Sequence, residues 1–266
     1  MKNRYDLVLA IAAVSLVLAG CGGKDSSATD STVGQKAAVE LTAANFVTEV
    51  SSAQAKVKSS HVTMKIDASG EKINAVGDIR VGSKAADTRV SMKMDLGSAG
   101  LGSIEMRLVD QAFYLNLGPL SQNKFAKMDL TDTGNPIGAQ YGKIIDQLDP
   151  SKVIEQFKVA MSSMRKKGDP VELDGVKAQP YELTLDTTKV PELSKLAAGA
   201  NMPKEIVYTI FLGPDNLPRR ISSGFADSAV TMDYSRWGEA VDITAPPKDQ
   251  ITDKNPLDQQ GLAPAA

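Results

Sequence analysis

The chain has 266 residues, with 30 basic and 32 acidic side chains for a formal net charge of −2, one cysteine and only 5% aromatic residues. Such a balance lacks the basic stripe that a nucleic-acid binder needs. A lone cysteine excludes a disulfide-stapled scaffold, so a hydrophobic core must carry the fold.

The first element is a leader. Lys2 and Arg4 precede an apolar run from Leu7 to Leu18, which ends in Leu18-Ala19-Gly20-Cys21 and gives way to Gly22-Gly23-Lys24-Asp25-Ser26-Ser27. A charged start, an apolar middle and small residues at a cleavage point make a secretory signal. The run is shorter than the roughly 20 apolar residues a bilayer span needs. Cysteine directly after Leu-Ala-Gly resembles the lipobox of bacterial lipoproteins. That resemblance implies cleavage after residue 20, a diacylglycerol on the Cys21 thiol, and a home on the extracytoplasmic face of the cell membrane. It also accounts for an unpaired thiol in an oxidising compartment, and more than one acyl chain gives stable anchoring. Residues 1–20 are thus read as signal. Residues 21–40, rich in Gly, Ser, Thr, Ala and Asp, read as a flexible tether.

The domain is expected over residues 41–247. Leu41, Phe46, Val50 and Val57 form a helical stripe with Thr42 as its cap. The period then switches to two. Strands are expected at His61 to Asp67, Asp78 to Val81, Arg89 to Leu96, Ile104 to Leu108, Phe113 to Leu117 and Phe125 to Met128, each alternating polar with apolar. Two helices are expected next, Ile137 to Leu148 and about 150–165. Asp149-Pro150 starts the second, Val153, Ile154, Phe157, Ala160, Met161 and Met164 lie on one side, and Arg165-Lys166-Lys167-Gly168 ends it. Strands return around Tyr181 to Leu185. A short helix follows at about Pro191 to Ala200. Further strands run Ile206 to Leu212, Leu217 to Ser222, Ala229 to Tyr234 and Val241 to Ile243. The stretch 248–266, with Pro, Asp and Gln and no periodicity, reads as a disordered tail.

A one-sided sheet of this size must cover its apolar face, and the helices are the available cover. The fold class is therefore α+β: a curved antiparallel sheet wrapped over a few helices. The interface between the layers is either a solid methionine-rich core or an apolar cavity.

Catalytic chemistry has little to stand on. The single histidine, His61, lies on the polar side of its strand, and a Ser-His-Asp arrangement would rest on it alone. Metal-ligand spacings are absent from the sequence, and Leu96 to Gly102 is a glycine-rich turn without the Lys-Ser/Thr that follows a phosphate loop. No enzyme, metal or cofactor is expected. Trp237 reads as a plug at a sheet edge, and Arg219-Arg220 as solvated charges beside a hairpin.

The second half carries a family resemblance. Gly175-Val176-Lys177-Ala178-Gln179-Pro180-Tyr181-Glu182-Leu183 is followed by Ile210-Phe211-Leu212-Gly213-Pro214-Asp215-Asn216-Leu217-Pro218-Arg219-Arg220-Ile221 and by the run from Met232 to Pro247, which includes Trp237-Gly238. With Ser59-Ser60-His61-Val62 and Leu148-Asp149-Pro150-Ser151 ahead of them, the order resembles the actinobacterial LppX/LprA/LprF/LprG lipoproteins over about residues 42–247. The resemblance implies a half-barrel similar to the LolA and LolB carriers. It also implies an apolar space between sheet and helices for acylated lipids or glycolipids, moved between the cytoplasmic membrane and the outer envelope, with a membrane exporter as a further partner. Inward positions are the candidate lining: Val62, Met64, Ile66, Ile79, Val90, Met92, Met94, Met106 and Leu108 from the strands, and Val153, Phe157 and Met161 from the second helix. The first reading of each is plain core and the second a ligand contact, because register says inward without saying which residues face a void. The competing reading is a non-catalytic envelope scaffold or sensor with a solid core and no lipid cargo.

Overall fold

The computed structural model describes residues 40–68, 71–82, 84–96, 102–131, 157–190, 203–225 and 228–252. One helix, α1 (Phe46–Val57), precedes a six-strand meander: β1 (Ser59–Ala68), β2 (Glu71–Arg80), β3 (Arg89–Asp95), β4 (Ser103–Val109), β5 (Ala112–Asn116) and β6 (Phe125–Asp129). Then come β7 (Met161–Lys166), β8 (Val171–Leu173), β9 (Val176–Asp186), β10 (Glu205–Leu212), β11 (Pro218–Phe225), β12 (Ser228–Ser235) and β13 (Ile251–Thr252). They form one open, curled sheet in the order β13-β6-β5-β4-β3-β2-β1-β12-β11-β10-β9-β7, with β8 beside β9. Every pairing is antiparallel except β13 with β6. Two wings, β2–β6 and β7–β11, thus flank a centre where β1 pairs β12, with Val62 opposite Tyr234.

The alternating segments become strands because each puts one apolar row on the side that α1 covers. Phe46, Val47 and Val50 of the helix are buried on that inner face with Val62, Met64, Ile66, Leu183, Leu185, Ile210 and Met232. Phe46 meets the Tyr181 ring edge-on at 5.9 Å. The helix stops at Lys58, a left-handed residue (φ 63°) whose N–H donates to the Gln54 carbonyl.

Several expectations are corrected. The helix starts at Phe46, after a turn in which the Thr42 carbonyl accepts from the Phe46 N–H at 2.9 Å; Thr42 does not cap it. The second helix does not reach residue 165: residues 157–160 are helical, and Met161–Lys166 is strand β7. Its pairing to β9 shifts register between Met161 and Ser163, so one extra residue brings Met161 and Met164 to the same face. A three-residue apolar spacing therefore came from a bulge, not a helical turn. Val241 to Ile243 is no strand; the Ile243 and Thr244 carbonyls accept from Arg89 Nη1 and Arg107 Nη1, both at 3.2 Å. Nor is the chain from 248 uniformly a tail, since Ile251 pairs with Phe125 in the sheet. The expected helices Ile137 to Leu148 and Pro191 to Ala200, the start of the second helix, and residues 1–39 and 253–266 lie outside the described residues.

That C-terminal segment builds a second, smaller core on the outer face of the first wing. Val109, Ala112, Tyr114, Phe125 and Ile243 are buried there, with Val241 and Ile251 packed against them. Arg107 lies over the Phe125 ring, its guanidinium carbon 5.2 Å from the centroid, and pairs with Glu105 at 2.6 Å.

Candidate functional site

Register fixes which residues share the inner face. One row crosses it through Val62, Gly77, Met92, Met106, Leu115 and Ala126 on β1 to β6. The next contains Ile79, Val90, Leu108, Phe113 and Met128, and a third Met64, Ala75, Met94 and Ile104. On the other wing Met164, Leu183, Tyr208 and Ser223 line up through Val230 to Ile66. Directly opposed side chains in such rows stand about 4.5–5.5 Å apart at Cβ, so each row is a continuous apolar strip.

Burial along these strips is uneven. Beneath α1 and at the middle of the second wing the face is closed: Val62 and Leu183 are each 1% exposed, Met64 and Ile66 2%, while Met161, Met164, Ile206 and Ser223 of that wing are half-buried. On β3 to β5 it is not. Val90, Met92, Met94, Ile104, Met106, Leu108, Phe113 and Leu115 are all half-buried, and closure returns only at Ala126 and Met128 of β6. Gly77 shapes the boundary. A Cβ there would lie 2.3 Å from the Ser91 carbonyl oxygen, so β3 rides over β2 where only glycine fits.

The expected lining therefore separates into groups. Val62, Met64, Ile66 and Ile79 are buried core. Val90, Met92, Met94, Met106 and Leu108 form the half-buried strip. Phe157 and Met161 are half-buried at the other wing and pack against the main core. Val153 and Cys21 lie outside the described residues. Ile104, Phe113 and Leu115 belong to the strip and were missed, although strand parity puts them on the same side as Met106 and Leu108.

Charge is kept to the opposite face. His61 Nδ1 stands 2.9 Å from Asp78 Oδ1, with Arg236 3.5 Å from the same oxygen. Arg220 pairs with Asp233 at 2.5 Å. Glu182 holds Lys167 and Arg165, and these two cations keep its carboxyl below the usual range. The inner face instead holds buried phenols: desolvation pushes Tyr208 up to about 12 and raises Tyr234 as well, so both are neutral at physiological pH. Arg219, expected as a solvated charge, is buried; its Nη2 reaches Asp215 Oδ2 at 2.7 Å and Nη1 donates to the Leu217 carbonyl, pinning the β10–β11 turn. Trp237, expected at a sheet edge, instead lies half-buried at the end of β12 in the middle of the sheet. Its indole stacks on Tyr234 at 5.6 Å and its N–H donates to the Pro218 carbonyl at 2.9 Å.

Compared by sequence, the chain matches no family model and no curated protein. Compared by structure, it superposes on the Mycobacterium tuberculosis lipoprotein LppX with a TM-score of 0.51 at 15% identity, covering 76% of this chain and 98% of that one. This chain has the LppX fold. LprF from Mycobacterium bovis follows at a TM-score of 0.49 and 13% identity, covering 75% of this chain and 95% of that one. The half-buried strip lies on the inner face across β3 to β5, beside the part of that face buried with α1. Among the described residues no group of three or more His, Cys, Asp or Glu side chains is placed to hold a metal ion, and no helix is long and apolar enough to cross a membrane.

Proposed function

We propose that this chain is a non-catalytic, lipid-anchored envelope protein. It holds acylated lipids or glycolipids against its inner face and carries or presents them between the cytoplasmic membrane and the outer envelope. One observation carries the reading: the continuous half-buried apolar strip of Val90, Met92, Met94, Met106 and Leu108, continued by Ile104, Phe113 and Leu115, on a face that is closed beneath α1. Phe157 and Met161, half-buried on the other wing, are included in the proposed lining, as is Val153, which lies outside the described residues. Acyl chains suit such a strip, because each methylene withdrawn from water contributes about 0.8 kcal/mol and needs no polar partner. A chain of a dozen buried methylenes outweighs any single head-group contact, so cargo selection by chain number and length precedes selection by head group. The LppX fold supports the reading, as does the lipobox-like Leu18-Ala19-Gly20-Cys21, where acylated Cys21 is the proposed anchor.

Native mass spectrometry of Gly22 to Ala266, produced in a host that supplies phospholipids, tests the cargo. Added mass that extracts into organic solvent as acylated lipid is the expected result. Protein that stays apo after incubation with envelope lipids would replace the carrier with a scaffold. For the anchor, Cys21→Ala in the full chain is expected to move the folded protein from the membrane to the soluble fraction. Persistent membrane fractionation would remove lipidation from the account.

A further inference from the structure

The sequence has ten methionines, and all eight among the described residues point to one face. Register puts Met64 opposite Met232, Met92 opposite Met106, and Met128 opposite Phe113. Met94 stands opposite Ala75, while Met161 and Met164 stand opposite Leu185 and Leu183. Every one of these positions is inward. They differ in exposure. Met64, Met128 and Met232 are sealed in the core, whereas Met92, Met94, Met106, Met161 and Met164 are half-buried. Met92, Met94 and Met106 sit at the centre of the open strip.

We propose that the half-buried methionines Met92, Met94 and Met106 are a peroxide-sensitive modification site that governs how firmly the inner face retains acyl chains; this rests on the lipid reading above. In the step, the thioether sulfur attacks one oxygen of hydrogen peroxide and the O–O bond breaks. The sulfur is oxidised by two electrons to the sulfoxide, and water leaves. A flexible apolar side chain becomes polar and acceptor-bearing, a change that disrupts methionine-rich surfaces. An acyl chain laid on that strip would then bury an unpaired S=O group. The coupling runs both ways: if sulfoxide weakens lipid binding, bound lipid must disfavour sulfoxide formation by the same factor at equilibrium, and it also screens the sulfurs from peroxide.

The test uses the full chain, loaded with lipid or stripped of it, treated with dilute hydrogen peroxide and mapped by peptide mass spectrometry. In the stripped protein, Met92, Met94 and Met106 are expected to gain an oxygen before Met64, Met128 and Met232. In the loaded protein the same three should react more slowly. Lipid retained after peroxide, read by native mass spectrometry, should fall about tenfold in the wild type. The triple variant Met92→Leu, Met94→Leu, Met106→Leu should lose far less than the wild type of whatever it holds at the start, since leucine has no sulfur and nearly the same volume and only Met161 and Met164 remain half-buried on that face. Oxidation of sealed and half-buried methionines at equal rates, or equal loss of lipid from the triple variant and the wild type, would overturn the proposal. Lipid held undiminished by a fully oxidised strip overturns the switch alone. Absence of lipid from the untreated protein overturns the lipid reading and the switch together.

Discussion

Gly77 is the place where the curl of the sheet and the position of the open strip depend on one missing atom. In Gly77→Ala the new Cβ would fall 2.3 Å from the Ser91 carbonyl oxygen, 3.0 Å from Met92 Cα and 3.2 Å from Met92 Cβ. Two of these are backbone atoms, so no rotamer change relieves the clash. Comfortable separation is about 3.5 Å, and β3 must therefore retreat by about 1 Å along several residues of its pairing with β2. Overpacking of this kind costs about 1–3 kcal/mol, offset by about 0.4–1 kcal/mol from the lower entropy of the unfolded chain. The expected net loss is about 1–2 kcal/mol, a fall of about 2–8 °C in Tm for a domain of this size. Gly224 is the control: a Cβ there meets nothing closer than the Ser228 carbonyl oxygen at 3.7 Å. Gly224→Ala should leave stability unchanged or raise it slightly. Urea and thermal unfolding of both variants, followed by circular dichroism, gives the comparison. If the two substitutions have the same effect, the β2–β3 crossing yields freely and Gly77 does not set the curl.

Three further outcomes follow from burial, the outer-face contacts and the buried phenols. Met64→Asp, at a position 2% exposed, should fail to fold, while Met106→Asp, half-buried, should fold and lose lipid; native dichroism with full lipid retention in Met106→Asp would remove the strip from the binding site. Arg107→Ala deletes the bond to the Thr244 carbonyl, the ring contact with Phe125 and the pair with Glu105. Hydrogen exchange should rise over β5, β6 and residues 241–252 and stay unchanged over β9 to β12; uniform acceleration would mean the two wings unfold as one. For Tyr208, raised from 10.0 to about 12, the folded chain keeps a proton that the unfolded chain sheds above pH 10. Its contribution is therefore complete below pH 10 and is lost as pH rises to 12, at about 1.4 kcal/mol per unit, with Tyr234 acting in the same direction. Phenolate absorbance should show these tyrosines ionising only as dichroism is lost, and their titration in the native protein near pH 10 would refute the burial argument.

Much of the sheet was readable because alternation is a local property. His61 to Asp67 and Arg89 to Leu96 each show it unbroken, and both are strands within a residue or two of the expected ends. The β8–β9 hairpin was equally readable and went unread: Asp174 and Gly175 take φ of 50° and 71°, the turn that Asp-Gly favours. Strand β7 is different, because its bulge disguises a period of two as a period near three. Val241 to Ile243 alternates like a strand, yet the carbonyls of Ile243 and the following Thr244 are taken by arginines from β3 and β4, far away in sequence. Parity likewise assigned every expected lining residue on the strands to the correct face. It could not separate Met64 from Met92, since that depends on where α1 lies, and no local pattern records that.

The geometry explains why one face has two characters. Twelve helical residues make a rod about 18 Å long and about 10 Å across, while strands are spaced about 4.8 Å apart. A rod of that size covers the inner side of a few strands, and α1 spends its apolar surface on Tyr181, β1 and their neighbours. Within the first wing, β3 to β6 present a further width of about 19 Å, whose inner residues from β3 to β5 stay half-buried. A bare two-faced wing would not hold its shape, and here the C-terminal segment fastens it from outside, through Arg89, Arg107 and the small core around Phe125. The wing is thus kept in position by contacts that do not occupy its inner side. A strip supported from behind, lined by pliable methionines and closed at its far edge by Ala126 and Met128, is the surface on which the proposed acyl-chain site rests. By the same reasoning, loosening the outer fastening should weaken lipid retention without touching a lining residue, so Arg107→Ala ought to lose lipid in proportion to its gain in exchange over β5 and β6.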